Sequence, residues 1–264
     1  MESFNGRLKS LIAKKKSCLC IGLDMDPKLL NTTKLEKLKD HSRLVIDATI
    51  DLAIAFKPNF AFFERWGSAG FSWLEEIVEY IGDDLITIAD AKRGDIGNTA
   101  LQYAHSVFSH FCFDSVTLNP YMGSDSIKPF LDYPGKGVFI LCKTSNASSI
   151  QFQNLNLNKK LLYEKVVEMA LDSNKNKNVG LVVGATAQEE LKAIRKLAPE
   201  LPLLIPGVGA QGGDLFKSVK TGNKNGAALI SVSRGISFAG DLSKKAIRQE
   251  AKKYVEKMAE VLNG

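Results

Sequence analysis

Eight short apolar runs, rich in β-branched and aliphatic residues, recur along the chain, most of them separated from the next by an amphipathic segment long enough for a helix. They are Leu19–Leu23, Ala53–Phe56, Leu85–Ala89, Ser115–Leu118, Val138–Leu141, Gly180–Val183, Leu203–Ile205 and Ala227–Ser231. Strands that are apolar on both faces belong to parallel sheets covered by helices, because only then is neither face wet. Eight such units imply an α/β fold closed into a (β/α)8 TIM barrel. Two intervening segments read as outer helices: Ser72–Ile81 sets Trp73, Ile77, Tyr80 and Ile81 along one side, and Ala187–Leu197 does the same with Leu191, Ile194 and Leu197. An open doubly wound sheet would want a glycine fingerprint after its first strand, where IGLDMDP (Ile21–Pro27) stands instead.

The 264 residues fit one barrel domain spanning 1–264, with a short N-terminal helix at about 3–16. Phe4, Leu8, Leu11 and Ile12 have helical spacing, and Lys14, Lys15 and Lys16 suit the negative end of that helix. No stretch approaches the ~18 apolar residues of a membrane span, and the expectation is a cytoplasmic protein with no membrane partner. A net charge of +6 favours an anionic ligand. The lysines are dispersed rather than interleaved with aromatics, which argues against a nucleic-acid partner. Cys18 and Cys20 alternate in a strand as small buried hydrophobes, and neither the four cysteines nor His41, His105 and His110 have metal-ligand spacing. We expect no metal site.

Barrel enzymes build their sites at the C-terminal ends of the strands, so the residues just after each run should share one mouth. Here these are Asp24; Lys57, Pro58 and Asn59; Asp90 and Lys92; Asn119 and Pro120; Lys143, Thr144 and Ser145; Gly184, Ala185 and Thr186; Pro206 and Gly207; and Ser233, Arg234 and Gly235. Two lysines and two aspartates around one cavity need a use, since buried charge is costly unless paired. After the last two runs come PGVGAQGGD (Pro206–Asp214) and SVSRGI (Ser231–Ile236). Glycine-rich backbone lets N–H groups approach an anion, and barrels often hold phosphate between these two loops. Arg234 adds a fixed cationic fork beside Gly235, and Gln211 could close over the anion. The Asn/Ser-rich stretch 144–158 is long for such a loop and is a candidate lid.

These stretches resemble the orotidine 5'-phosphate decarboxylase family, in the group carrying FKPNFAFFE (Phe56–Glu64). With that segment come GLDMDP (Gly22–Pro27), DAKRGDIGNTA (Asp90–Ala100), LNPYMG (Leu118–Gly123), CKTSN (Cys142–Asn146), PGVGAQGGD and SRGI, in matching order from about Asp24 to Arg234. The Asp-x-Lys-x-x-Asp pattern alone is shared with related sugar-phosphate barrels, whereas the full set is specific. The resemblance implies cofactor-free removal of CO₂ from orotidine 5'-monophosphate to give uridine 5'-monophosphate, the last step of de novo UMP synthesis. It implies that Asp24 and Lys57 hold the ribose hydroxyls with Asn59 nearby, that Asp90 sits beside the substrate carboxylate, and that Lys92 delivers the proton. It further implies that Ser145 meets the pyrimidine edge, that Gln211 and Arg234 meet the phosphate, and that Asp95, Ile96 and Thr99 enter the site of a neighbouring subunit in a homodimer. One departure is Ala147, where the family pattern would have proline; a looser lid is expected.

Losing CO₂ from C6 leaves an electron pair that the pyrimidine ring delocalises poorly, so the chemistry needs an external cation. A lysine ammonium supplies it, and in a site that excludes water the attraction is far stronger than in solvent. Asp90 and Asp95 on either side should keep Lys92 charged against desolvation. In an extended segment Asp90 and Lys92 point the same way, and Gly94 would let the chain turn before Asp95. Three rivals make different demands: a Mg²⁺-dependent sugar-phosphate enzyme wants a carboxylate where Lys57 stands, a Schiff-base aldolase wants a neutral lysine, and a non-catalytic binder of nucleotides or nucleic acids would rest mainly on the basic charge.

Overall fold

The computed structural model describes residues 2–209 and 212–263. Eight parallel strands close into a barrel in the order β1 (Leu19–Leu23), β2 (Ala55–Pro58), β3 (Ile86–Arg93), β4 (Ser115–Leu118), β5 (Gly137–Lys143), β8 (Val179–Val183), β9 (Leu203–Pro206) and β10 (Ala228–Val232), which pairs back to β1. The remaining two strands, β6 (Asn156–Leu157) and β7 (Lys160–Leu161), form a small antiparallel hairpin. Helices including Leu35–Thr49, Gly67–Ile81, Leu162–Ser173, Gln188–Leu197 and Lys244–Asn263 lie between and after the strands, so the fold is the (β/α)8 barrel that the apolar runs imply. Every residue of β1, β8 and β10 is buried, as strands between a filled interior and a helical jacket must be.

The apolar runs locate the strands but misplace some of their ends. Ala53 and Ile54 are fully buried, yet they precede the second strand, whose ladder runs on through Lys57 and Pro58. Apolarity reports burial, while the ladder is set by backbone pairing. For the same reason β3 continues past Ala89 through the charged residues to Arg93. The stretch after β5 is not a structureless loop: it coils through Ala147–Ser149 and Ile150–Gln153 before the hairpin.

The barrel interior is packed at the end opposite the strand termini. Helix α1 (Phe4–Lys15) lies across that end, with Ser3 Oγ accepting from the Gly6 amide at 3.2 Å and Lys15 Nζ donating to the Ala53 carbonyl at 2.8 Å. Phe4 and Leu8 join Cys20, Ile88, Phe139 and Leu204 in the inner core, and the Phe4 ring meets Phe139 edge-on at 5.9 Å. A side chain at Gly137 would overlap the Phe4 ring, so glycine there makes room for it. Filling one end with side chains leaves the other for a site.

Candidate active site

At the C-terminal ends of the strands is a cavity of about 270 Å³. Its wall carries Asp24 after β1, Lys57 and Asn59 at β2, and Asp90 and Lys92 on β3. Thr144 and Ser145 follow β5, Gly207 follows β9, and Arg234 and Gly235 follow β10. Leu141, Val182 and Leu204 contribute apolar surface. These ten strand-end positions draw together from separate parts of the sequence because parallel strands all finish at one rim.

At the centre is a chain of charges. Lys57 Nζ lies 2.6 Å from Asp90 Oδ2, and Lys92 Nζ lies 2.6 Å from Asp90 Oδ1. The Thr117 hydroxyl donates to Asp90 Oδ1 at 3.1 Å. Burial is the largest influence on Asp90 and would raise its pKa, but the attraction of Lys57 and Lys92 outweighs it and holds the carboxyl well below its usual range. Burial likewise pulls Lys57 down, and Asp90 and Asp24 together push it above the ordinary lysine value. Both groups are therefore ionised. Asp24 Oδ1 is buried and accepts no hydrogen bond among the described residues, an acceptor left for something else.

The backbone at Lys92 departs from the extended strand expected. Its φ is +47°, in the left-handed region, and the β3–β4 register slips between Ala89 and Arg93. The Lys92 amide is held there by Thr117 Oγ1 at 2.9 Å. This kink, rather than a plain alternation, brings the Lys92 amine back to Asp90. Nor does the chain turn at Gly94: its φ is not positive, and its role is close approach, since a Cβ there would stand 3.2 Å from the Asn119 carbonyl. The next left-handed residue is Gly97, at φ +54°.

Asp95, Ile96 and Thr99 do not line this cavity. Asp95 Oδ1 accepts from the Ile96 amide at 2.8 Å, and Ile96 is 56% exposed. Within one chain the expected Asp90/Lys92/Asp95 array is replaced by Lys57/Asp90/Lys92. Asn59 lines the cavity while its Oδ1 caps the helix Phe60–Glu64 through the Ala61 amide. In the same segment, Glu64 pairs with Arg93, whose guanidinium lies over the Phe60 ring at 5.2 Å, tying the ends of β2 and β3 together. Gln211 lies outside the described residues. Thr117 went unread because it stands inside an apolar run; the polar Ser115 and Thr117, two apart within it, were the available sign that one face of β4 points inward.

The family described as "Orotidine 5'-phosphate decarboxylase / HUMPS family" matches residues 17–249. An orotidine 5'-phosphate decarboxylase of Dehalococcoides mccartyi is 46% identical over 266 aligned positions, covering 98% of this chain and 97% of that one. Among solved structures, OMP decarboxylase of Leishmania donovani superposes with a TM-score of 0.89 at 39% identity, each chain covered in full (100%). A putative orotidine-monophosphate decarboxylase of Toxoplasma gondii gives a TM-score of 0.91 at 39% identity, covering 99% of this chain and 98% of that one. The barrel, the strand-end charges and these likenesses agree, and the chain belongs to the orotidine 5'-phosphate decarboxylase / HUMPS family.

Proposed function

We propose that this protein is a carboxy-lyase that converts orotidine 5'-monophosphate to uridine 5'-monophosphate and CO₂ in UMP synthesis, with Lys92 as the residue that steadies the C6 carbanion and protonates it. The observation that carries this reading is the Lys57–Asp90–Lys92 chain, with 2.6 Å at each link. Lys57 neutralises Asp90 from the buried side, so the carboxylate remains ionised at the cavity wall, and the Lys92 ammonium is directed into the space where C6 would lie. Loss of CO₂ breaks the C6–carboxylate bond and leaves its electron pair on C6; the ammonium beside it stabilises that charge and then gives up a proton to it. Asp90 would face the departing carboxylate, and the repulsion between them is relieved as CO₂ leaves.

The rest of the cavity supports the substrate assignment. The unpartnered Asp24 Oδ1 suits a ribose hydroxyl, with Lys57 and Asn59 on the same side. Arg234, Gly235 and Gly207 suit the phosphate, and Gln211 belongs with them in this reading. Ser145 takes the pyrimidine edge. Asp95, Ile96 and Thr99, which do not line their own cavity, would complete the site of a second subunit. Exposed Ile96, Leu101, Tyr121 and Met122 beside them are the apolar surface that a homodimer would cover. A Mg²⁺-dependent reading fits less well, since a dication at Asp90 would meet the Lys57 ammonium already bonded there.

The test is the loss of orotidine 5'-monophosphate absorbance with chelator-treated protein. Turnover is expected undiminished by chelation; activity that requires added Mg²⁺ would refute the cofactor-free route.

A further inference from the structure

Lys143, at the end of β5, is a lysine that the proposed chemistry does not use. It is only 3% exposed and lies outside the cavity lining. The β5–β8 register slips between Leu141 and Lys143; Leu141 lines the cavity and Lys143 does not. Its Nζ donates to Ser149 Oγ at 2.8 Å, with Glu190 Oε1 at 3.9 Å as the nearby countercharge. A buried ammonium is costly unless it is paired, so its position is set by Ser149 and Glu190.

Ser149 belongs to the coiled segment after β5, and that segment grips the strand end at a second point. Gln153 Oε1 accepts from the Thr144 amide at 2.9 Å, and Gln153 Nε2 donates to Thr144 Oγ1 at 2.8 Å. From the other side, Thr186 Oγ1 donates to the Ser145 carbonyl at 3.4 Å, and Gly184 approaches so closely that a Cβ there would stand 2.8 Å from the Ser145 amide. Ser145 is thus bracketed. Ala147 opens the short helix Ala147–Ser149 without the fixed φ that a proline would give it. Two ties, Lys143 to Ser149 and Gln153 to Thr144, flank Ala147 in sequence.

We propose that Lys143 is a positioning residue: by holding Ser149 against the barrel wall, it fixes the Thr144–Ser145 segment that recognises the base. This rests on the reading of Ser145 as the pyrimidine contact. The test measures affinity for uridine 5'-monophosphate and for ribose 5-phosphate, which lacks the base, in the full-length protein and in Lys143→Met, Lys143→Arg and Ser149→Ala.

Lys143→Met is expected to weaken uridine 5'-monophosphate by about tenfold or more, the worth of a hydrogen bond to a charged group. Ribose 5-phosphate affinity should stay unchanged, Lys143→Arg should recover part of the loss, and Ser149→Ala should weaken the nucleotide alone. General loosening would weaken both ligands equally, and that result, or unchanged nucleotide affinity, would overturn the proposal. If Lys143→Met does not fold, Ser149→Ala decides alone: an unchanged nucleotide affinity overturns it. If the parent protein binds both ligands equally, the base-recognition reading fails, and this proposal with it; a parent that prefers the nucleotide, with variants that keep that preference, sinks only the role of Lys143.

Discussion

Lys57 and Lys92 share one carboxylate, each ammonium standing 2.6 Å from a different oxygen of Asp90. The two lysines differ in setting: the Lys57 side chain is 7% exposed and that of Lys92 is 51%. The buried lysine holds Asp90 ionised, and the open one is available to a ligand. Removing either end of this chain should therefore have separable effects.

Lys92→Ala should abolish turnover, a loss of at least about 10³-fold, because on the proposed mechanism it removes the cation that would stand nearest the reacting carbon. Stability should move little, since Asp90 keeps Lys57 and an exposed ion pair contributes only ~0–1 kcal/mol. Absorbance assays and a melting curve on the same preparation check both halves. Near-parental turnover would remove Lys92 from the proton-donor role.

Asp90→Asn should cost stability as well as activity. It strands the buried Lys57 ammonium, and breaking a buried pair from one side costs about 3–5 kcal/mol. Denaturant unfolding measures this, with Lys92→Ala as the comparison. A variant as stable as the parent would mean that Lys57 does not depend on Asp90.

The pH dependence follows from the same pair. Asp90 is depressed, so its contribution is present above the ordinary carboxylate value of ~3.9 and is lost as pH falls through its lower folded value. Lys57 is raised, so its contribution is present below the ordinary ~10.4 and is lost as pH rises through its higher folded value. Between roughly pH 5 and 10 neither group titrates, and the melting temperature should show no step from this pair. In Asp90→Asn, burial acts on Lys57 with less opposition, and a step should appear on the alkaline side. Melting temperature against pH for both proteins checks it.

Arg234→Ala should mainly raise KM, by about ten- to a hundredfold, as expected for a charge-assisted contact to phosphate remote from the reacting carbon. Steady-state kinetics decides this. A loss confined to kcat would place Arg234 elsewhere in the reaction.

Subunit exchange tests the proposed shared site. The Lys92→Ala and Asp95→Asn proteins should each be inactive or nearly so, while a mixture allowed to exchange should regain activity through sites that carry neither change. No recovery, with exchange verified by mass, would confine Asp95 to its own subunit.

What the sequence conveyed well was whatever repeats along the chain. Apolar runs must be buried on both sides, so the strands, their parallel order and the converging rim at Asp24, Lys57, Asp90 and Arg234 were legible. Local backbone departures were not. The positive φ at Lys92 falls on a residue type that carries no signal for it, and the register slip beside it arises from pairing with β4, a partner remote in sequence. Lys143 shows the same limit: it was expected at the shared mouth, but the register slip between Leu141 and Lys143 leaves it outside the cavity lining.

Helix α1 stoppers the barrel floor, and side chains from Phe4 up to Leu204 fill the passage. With that side filled, carbon dioxide released in the proposed reaction above the apolar base of Leu141, Val182 and Leu204 would leave toward the strand-end mouth, the side from which its parent molecule enters.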